Sequence, residues 1–259
     1  MSTESNNNEN IIEQREGWVF GRQPLLEALA AKKTVERIYL ADESHGDIIQ
    51  EIRDAAKGVC PVDLIPRAAL DRYSNGIRHQ GVAARLASVE TIPLDHWLTQ
   101  LTNGKPVTAL MLDGIEDPGN LGAILRSAAV FGADGVIVGE RHNAPLSPAT
   151  AKASAGGMFH VPIVRAKHLN HAIDILKANG FWVFALAEES EQSIIDLELP
   201  ERIVWVIGGE GSGVSQSLRK VCDAVTAIPS PGALKSLNAS VAAAIALYTA
   251  LTAREAPLE

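Results

Sequence analysis

Cysteine, aromatic residues and positive charge are all scarce in this chain, and each shortage closes off a class of function. Two cysteines occur in 259 residues, Cys60 and Cys222, in unlike contexts and without CxxC spacing. A disulfide framework is therefore excluded, and the pattern fits reduced core thiols of a cytoplasmic protein. Of seven histidines, only His168 and His171 lie close together, without carboxylate or cysteine partners, so no metal is expected. Aromatics at 5% and charged residues at 21% suit an ordinary α/β protein. With 23 basic against 31 acidic residues, the net charge is -8, which lacks the overall signature of a nucleic-acid binder. A local basic groove remains compatible, because a polyanion meets the local field. No stretch reaches membrane-spanning length without charge, so no membrane partner is expected. The start is polar and asparagine-rich, which predicts a disordered tail over residues 1–14 and no targeting peptide.

From Trp18 onward, short apolar runs alternate with amphipathic ones, the sign of α/β layering. Helices are predicted at 24–31, 47–56 and 67–73, and strands at 35–40, 62–65 and 82–87, making a small first domain over residues 15–89. Residues 90–105 change character: Pro93, Asn103, Gly104 and Pro106 bracket one short amphipathic segment around Trp97, which predicts a linker. Beyond it, 107–112, 135–138, 161–164, 181–186, 203–207 and 225–228 are apolar enough to be strands buried on both faces. Helices between them imply a parallel sheet in a second domain over residues 106–259. The last helix, predicted at 236–252, is apolar or small on nearly every side between Val241 and Leu251. Such a helix buries more than one face, either in a subunit interface or within its own domain.

Three loops follow predicted strands at their carboxyl ends, where parallel sheets place ligand sites. In the first, Asp117-Pro118-Gly119-Asn120-Leu121-Gly122 opens into a helix predicted at 121–131, with Asn120 placed to cap it and Arg126 its one charge. An arginine on so apolar an element either snorkels or works. The second, Gly208-Gly209-Glu210-Gly211-Ser212-Gly213, lacks the GxGxxG spacing of a dehydrogenase and the lysine of a phosphate-cradling loop. Its glycines make a tight turn or admit close backbone approach to a flat ligand. The third, residues 229–238, delivers Ser236, Leu237 and Asn238 at the start of the last helix, as caps or as chemistry. None of the loops carries the aspartate or serine–histidine pair of a hydrolase, and Cys222 is expected in an amphipathic helix.

In order and spacing these loops resemble the three motifs of the SpoU, or TrmH, group of SPOUT methyltransferases, with residues 117–126, 206–213 and 228–240 carrying the likeness. Lys152-Ala153-Ser154-Ala155-Gly156-Gly157 resembles a further recurring segment. Gly21-Arg22-Gln23-Pro24-Leu25-Leu26-Glu27-Ala28-Leu29 and His79-Gln80-Gly81-Val82 resemble the amino-terminal, L30e-like substrate-binding domain of the longer, rRNA-modifying members. The resemblance implies an α/β fold with a deep carboxyl-terminal trefoil knot, an exception to un-knotted topology. It also implies a homodimer, S-adenosyl-L-methionine as methyl donor, and 2'-O-methylation of an RNA ribose, first of all a guanosine of 23S rRNA. A tRNA target or a non-catalytic RNA-binding scaffold are the alternatives.

By the same resemblance, Gly208, Gly209, Ile228, Leu237 and Asn238 fall at donor contacts. Asn120, Arg126, Glu210, Ser236 and Asn238 fall at catalytic or substrate-positioning places. Arg126 would stabilise the emerging alkoxide, with Asn120 and Ser236 orienting it and the ribose and Glu210 holding its fork. In the first domain, Arg72, Arg78 and His79 cluster as either phosphate contacts for RNA or a solvated charged face.

Overall fold

A computed structural model describes residues 17–255, apart from residues 88, 141 and 235 and the side chain of residue 255. The asparagine-rich start lies outside the described residues. The chain forms two compact units, Met1–Glu90 together with Pro145–His160, and Thr91–Ala144 together with Val161–Glu259.

The first unit is a four-stranded sheet in the order β1-β4-β2-β3, built from β1 (Trp18–Phe20), β2 (Val35–Ala41), β3 (Val62–Ile65) and β4 (Val82–Leu86). Only β2 and β3 run parallel; β4 is antiparallel to both its neighbours. Helices α1 (Arg22–Ala30), α2 (Asp47–Ala56) and α3 (Arg67–Ser74) accompany it; Leu25, Ile52 and Leu70 of the helices are buried, as are Phe20, Ile38 and Leu40 of the strands, and Leu70 packs in one cluster with Phe20, Ala41 and Ala83. Helix α1 starts two residues before its predicted beginning, because Gly21 turns the chain at φ 104°.

This unit also takes in a segment that the sequence placed in the second domain. Helix α6 (Pro148–Ala153) opens with Ser147 as cap and Pro148 in its first turn, and it packs on β1. The following turn holds Gly156 at φ 91°, where any side chain would overlap that of Glu27. Glu27 in turn pairs with His160 Nε2 at 2.8 Å. The run of residues 152–157 thus belongs to the first compact unit, although its place in the sequence is between strands of the second sheet.

The second unit is a seven-stranded sheet in the order β11-β9-β10-β6-β7-β8-β5. Its strands are β5 (Ile92–Pro93), β6 (Val107–Asp113), β7 (Gly135–Gly139), β8 (Ile163–Ala166), β9 (Trp182–Leu186), β10 (Arg202–Gly208) and β11 (Ala224–Thr226). Every pairing is parallel, and β6, β7 and β10 are buried almost throughout. That is the doubly covered parallel sheet which the apolar runs predict. Helices α4 (Leu94–Gln100), α5 (Pro118–Val130), α7 (Leu169–Ala178), α8 (Gln216–Arg219) and α9 (Ala239–Glu255) complete it.

Residues 90–105 are not a linker. Strand β5 adds to the sheet edge beside β8, and Pro93, read as a breaker, instead caps α4. Trp97 is 1% exposed, and its ring nitrogen donates to the Asp134 carbonyl at 2.9 Å. Its ring also occupies the space that a side chain at Gly135 would need. Helix α9 buries Ala243, Ala246, Leu247 and Ala250 in its own unit and leaves Val241 and Tyr248 exposed.

Replacing Trp97 by alanine removes this packing and the Asp134 bond together. The variant is expected to lose about 3–5 kcal/mol of stability, read as a lower denaturant midpoint for the second unit.

Candidate active site

Because the sheet of the second unit is parallel, the loops after β6, β10 and β11 leave at one edge. At the first loop, Asp117 and not Asn120 caps the helix: its Oδ2 accepts the Asn120 backbone N–H at 2.8 Å. With Pro118 in the first turn, α5 begins three residues before its predicted start at residue 121. The Asn120 side chain is left for other work. Its Nδ2 donates to Glu210 Oε1 at 3.0 Å.

At the third loop, Asn238 Nδ2 donates to the same Glu210 oxygen at 2.7 Å and to Asn120 Oδ1 at 2.9 Å. Its own Oδ1 accepts the backbone N–H of Ser240 at 2.9 Å and the Ser240 hydroxyl at 2.6 Å. Asn238 thereby caps α9 while facing the network, so the helix starts at Ala239 rather than at Ser236. One carboxylate and two amides tie all three loops together.

Glu210 was expected to hold the fork of Arg126. Two amide donors occupy its Oε1 instead. Among the described residues Arg126 has neither an ion pair nor a side-chain hydrogen bond, and it lies exposed on α5, whose Leu121, Ile124, Leu125 and Ala128 are buried.

A cavity of about 450 Å³ opens beside the network. Gly208, Gly209, Ile228, Leu237 and Asn238 line it, as do Ser236 and Glu210. Asn120 and Arg126 do not, and only Asn120 is bonded to lining residues. Gly208 and Gly209 also answer to their own chain: a side chain at 208 would overlap the backbone of Gly213 and Val214, and one at 209 the Gly114 carbonyl. The tight turn and the cavity wall are the same feature.

Sequence reasoning missed several lining groups. Leu186, the last residue of β9, and Ala187 after it line the cavity, and the strand-end rule applied to the predicted strand at 181–186 finds them. Glu189 pairs with Arg219 at the cavity, and Arg219 Nε donates to the Val214 carbonyl at 2.6 Å, bracing the glycine loop. Nothing in the local sequence marks that pair.

In the first unit, Arg72 sits in the last turn of α3 and Arg78 is exposed. His79 differs from expectation: it is 5% exposed, with Nε2 on Asp71 Oδ1 at 2.8 Å and Nδ1 accepting the Gly81 N–H at 3.1 Å. Both ring nitrogens serve the fold. Helix α8 ends at Arg219, so Cys222 lies beyond it. Burial, reinforced by Asp223, pushes the Cys222 thiol up to about 12, and burial also raises Cys60. Neither is a nucleophile near neutrality. Among the described residues no helix is long and apolar enough to cross a membrane, and no group of three or more metal-ligating side chains occurs.

Residues 108–248 match the model of the SpoU rRNA methylase family. The chain belongs to the SpoU family. Residues 18–92 match a second model, for RNA 2'-O ribose methyltransferase substrate binding. A Staphylococcus aureus protein assigned to the TrmH family of tRNA/rRNA methyltransferases is 39% identical over 232 residues, 89% of this chain and 93% of that relative. A Staphylococcus saprophyticus counterpart is 36% identical over the same share. The crystal structure of the SpoU methyltransferase AviRb of Streptomyces viridochromogenes, in complex with AdoMet, has the same fold. Its TM-score is 0.79 at 24% identity, covering 94% of this chain and 92% of that one. An AdoMet-bound rRNA methyltransferase of Sinorhizobium meliloti gives 0.76 at 23%, over 95% and 90%. This SpoU-family chain is an RNA 2'-O-methyltransferase.

Two outcomes follow from the geometry. Asn238→Asp keeps the α9 cap but loses both donated bonds and sets a carboxylate against Glu210. Hydrogen bonds to charged acceptors contribute about 1.5–3 kcal/mol, so methyl transfer is expected to fall tenfold or more while the melting temperature changes far less. For Cys222, alkylation by iodoacetamide at about pH 8 is expected to be much slower in the folded protein than in the denatured chain, as followed by mass spectrometry.

Proposed function

We propose that this SpoU-family enzyme methylates a ribose 2'-hydroxyl of rRNA, with a guanosine of 23S rRNA as its target. The observation that carries the reading is the Asn120–Glu210–Asn238 network, which fixes three loops around one cavity.

The cavity suits S-adenosylmethionine. Its volume of about 450 Å³ falls in the range of small-molecule sites. Leu186, Ile207, Ile228 and Leu237 offer apolar walls for a nucleoside. Among the described residues, Glu188, Glu189 and Glu210 against Arg219 give it an excess of negative charge suited to a sulfonium and an ammonium. When bound, the donor supplies an electrophilic methyl group. Gly208, Gly209, Ile228, Leu237 and Asn238 are the residues assigned to hold it.

The remaining difficulty is the nucleophile. A ribose hydroxyl is a very weak acid, and the site must bring it into line and steady the charge that grows on its oxygen. Arg126 is assigned to steady that charge, since a guanidinium is a cation with five donors and this one has no ion-pair partner among the described residues. Ser236, at the cavity, is assigned to orient the ribose. Asn120 positions the start of the helix that carries Arg126, and Glu210 fixes both amides rather than the arginine.

The carboxyl-terminal trefoil knot and a homodimer through this unit belong to the same proposal. Val130, Val241 and Tyr248 are 71%, 45% and 55% exposed on α5 and α9, an apolar surface suited to a second copy. The rRNA target draws support from the substrate-binding match over residues 18–92.

Arg126→Ala is expected to bind S-adenosylmethionine as the native protein does while losing nearly all methyl transfer in a single-turnover assay with rRNA. Undiminished transfer would remove Arg126 from the chemistry. Mapping ribose methylation in cells with and without the protein is expected to show loss at one rRNA position. Loss confined to tRNA would overturn the target and leave the reaction standing.

A further inference from the structure

We propose that the open cavity of the first unit is an RNA-backbone site, in which Arg22, Arg67 and Arg78 hold a phosphodiester of the substrate. The inference rests on the RNA methyltransferase reading and names where the substrate's backbone is gripped.

The cavity, about 590 Å³, lies where α1 begins, along α3 and under the loop of residues 75–80. Three guanidinium groups line it against one carboxylate, Asp71. That carboxylate is engaged: its Oδ1 meets buried His79 Nε2 at 2.8 Å. Glu43 reaches Arg67 at 3.3 Å, an exposed pair in which both side chains are more than half accessible, and such pairs contribute little. Glu27, on the helix that Arg22 begins, is committed to His160 at 2.8 Å.

The arginines themselves are presented rather than spent. Arg22 uses Nε on the Gln80 carbonyl at 3.2 Å, and Arg78 has neither an ion pair nor a side-chain hydrogen bond among the described residues. Lys152 of α6 adds a further cation, donating to Gln80 Oε1 at 3.3 Å. Burial first, and then the charge of Arg78, hold its ammonium below the ordinary lysine range. Cations crowded in this way repel one another, and an anion in the cavity relieves the repulsion.

The loop that carries Arg78 is also held by its own turn. Asn75, Gly76 and Gln80 take φ of 44°, 88° and 56°, and His79 pins the turn from below through Asp71 and the Gly81 N–H. In a chain of net charge -8, this preformed concentration of arginine suits a polyanion. Of the three residues singled out in the sequence, Arg78 and His79 line the cavity and Arg72 does not, and Arg22 and Arg67 join them there.

The test measures binding of a fluorescein-labelled single-stranded RNA to the full chain over a salt series. Arg67→Gln and Arg78→Gln are each expected to weaken binding several-fold regardless of sequence and to lower the slope of log affinity against log salt by about 0.7. Arg37→Gln, which removes an exposed arginine paired with Asp63, is expected to leave both unchanged. Native affinity and slope in the Arg67 and Arg78 variants would overturn the site, as would an equal loss in the Arg37 variant. Inorganic phosphate and AMP at matched ionic strength are expected not to displace the RNA; displacement by either would assign the cavity to a free phosphate. A protein that binds RNA through these arginines yet transfers no methyl group would sink the proposed reaction and leave this site intact.

Discussion

The active region depends on the Glu210 carboxylate accepting two amides at once. Asn120 and Asn238 stand 90 and 28 residues from it in sequence. No local propensity brings them together; the parallel sheet does so by sending the loops after β6, β10 and β11 out at one edge. The carboxylate then sets the direction of both amides, because each has one donor bound to Oε1. Removing Glu210 would leave two amides competing for partners at a cavity wall. The same constraint explains why the first and third loops are capped as they are: Asp117 accepts the Asn120 backbone N–H and leaves the Asn120 side chain to Glu210, and Asn238 caps with its oxygen while donating with its nitrogen.

Charge is distributed between the units in a way that the whole-chain figure hides. The cavity at the three loops carries an excess of carboxylates, Glu188, Glu189 and Glu210 against Arg219, and the cavity of the first unit carries an excess of arginine. The site proposed for a cationic donor and the site proposed for an anionic polymer therefore differ in the sign of their local charge. Net charge governs solubility and non-specific association, and it says little about either cavity.

Much of this was legible in the sequence, for identifiable reasons. Apolar runs such as 107–112 and 203–207 have no amphipathic alternation, which marks doubly buried parallel strands. Once strands are placed, loops with glycine and proline at their carboxyl ends mark the site, and Asn120, Glu210 and Asn238 do meet there. What failed was local. Pro93 and the turn signals at 103–106 read as a linker, yet a proline also suits the start of a helix, and Trp97 buries itself in the core. The segment 145–160 lies between strands of the second sheet in sequence but packs on the first, a choice made by Gly156 and Glu27 in contact rather than by composition. His79 looked like a contact because it neighbours Arg78, whereas its burial and its bonds to Asp71 and Gly81 depend on how the loop turns. The Glu189–Arg219 pair joins the turn after β9 to the end of α8, an approach that no spacing rule encodes.

The central claim is that the three loops serve transfer to a ribose oxygen. It is tested most directly by incubating the purified chain with rRNA and S-adenosylmethionine labelled in the methyl group, digesting the product to nucleosides and locating the label. The account requires the label on a 2'-O-methylated nucleoside. Label on a base, or no transfer by folded protein that binds both donor and RNA, would contradict it.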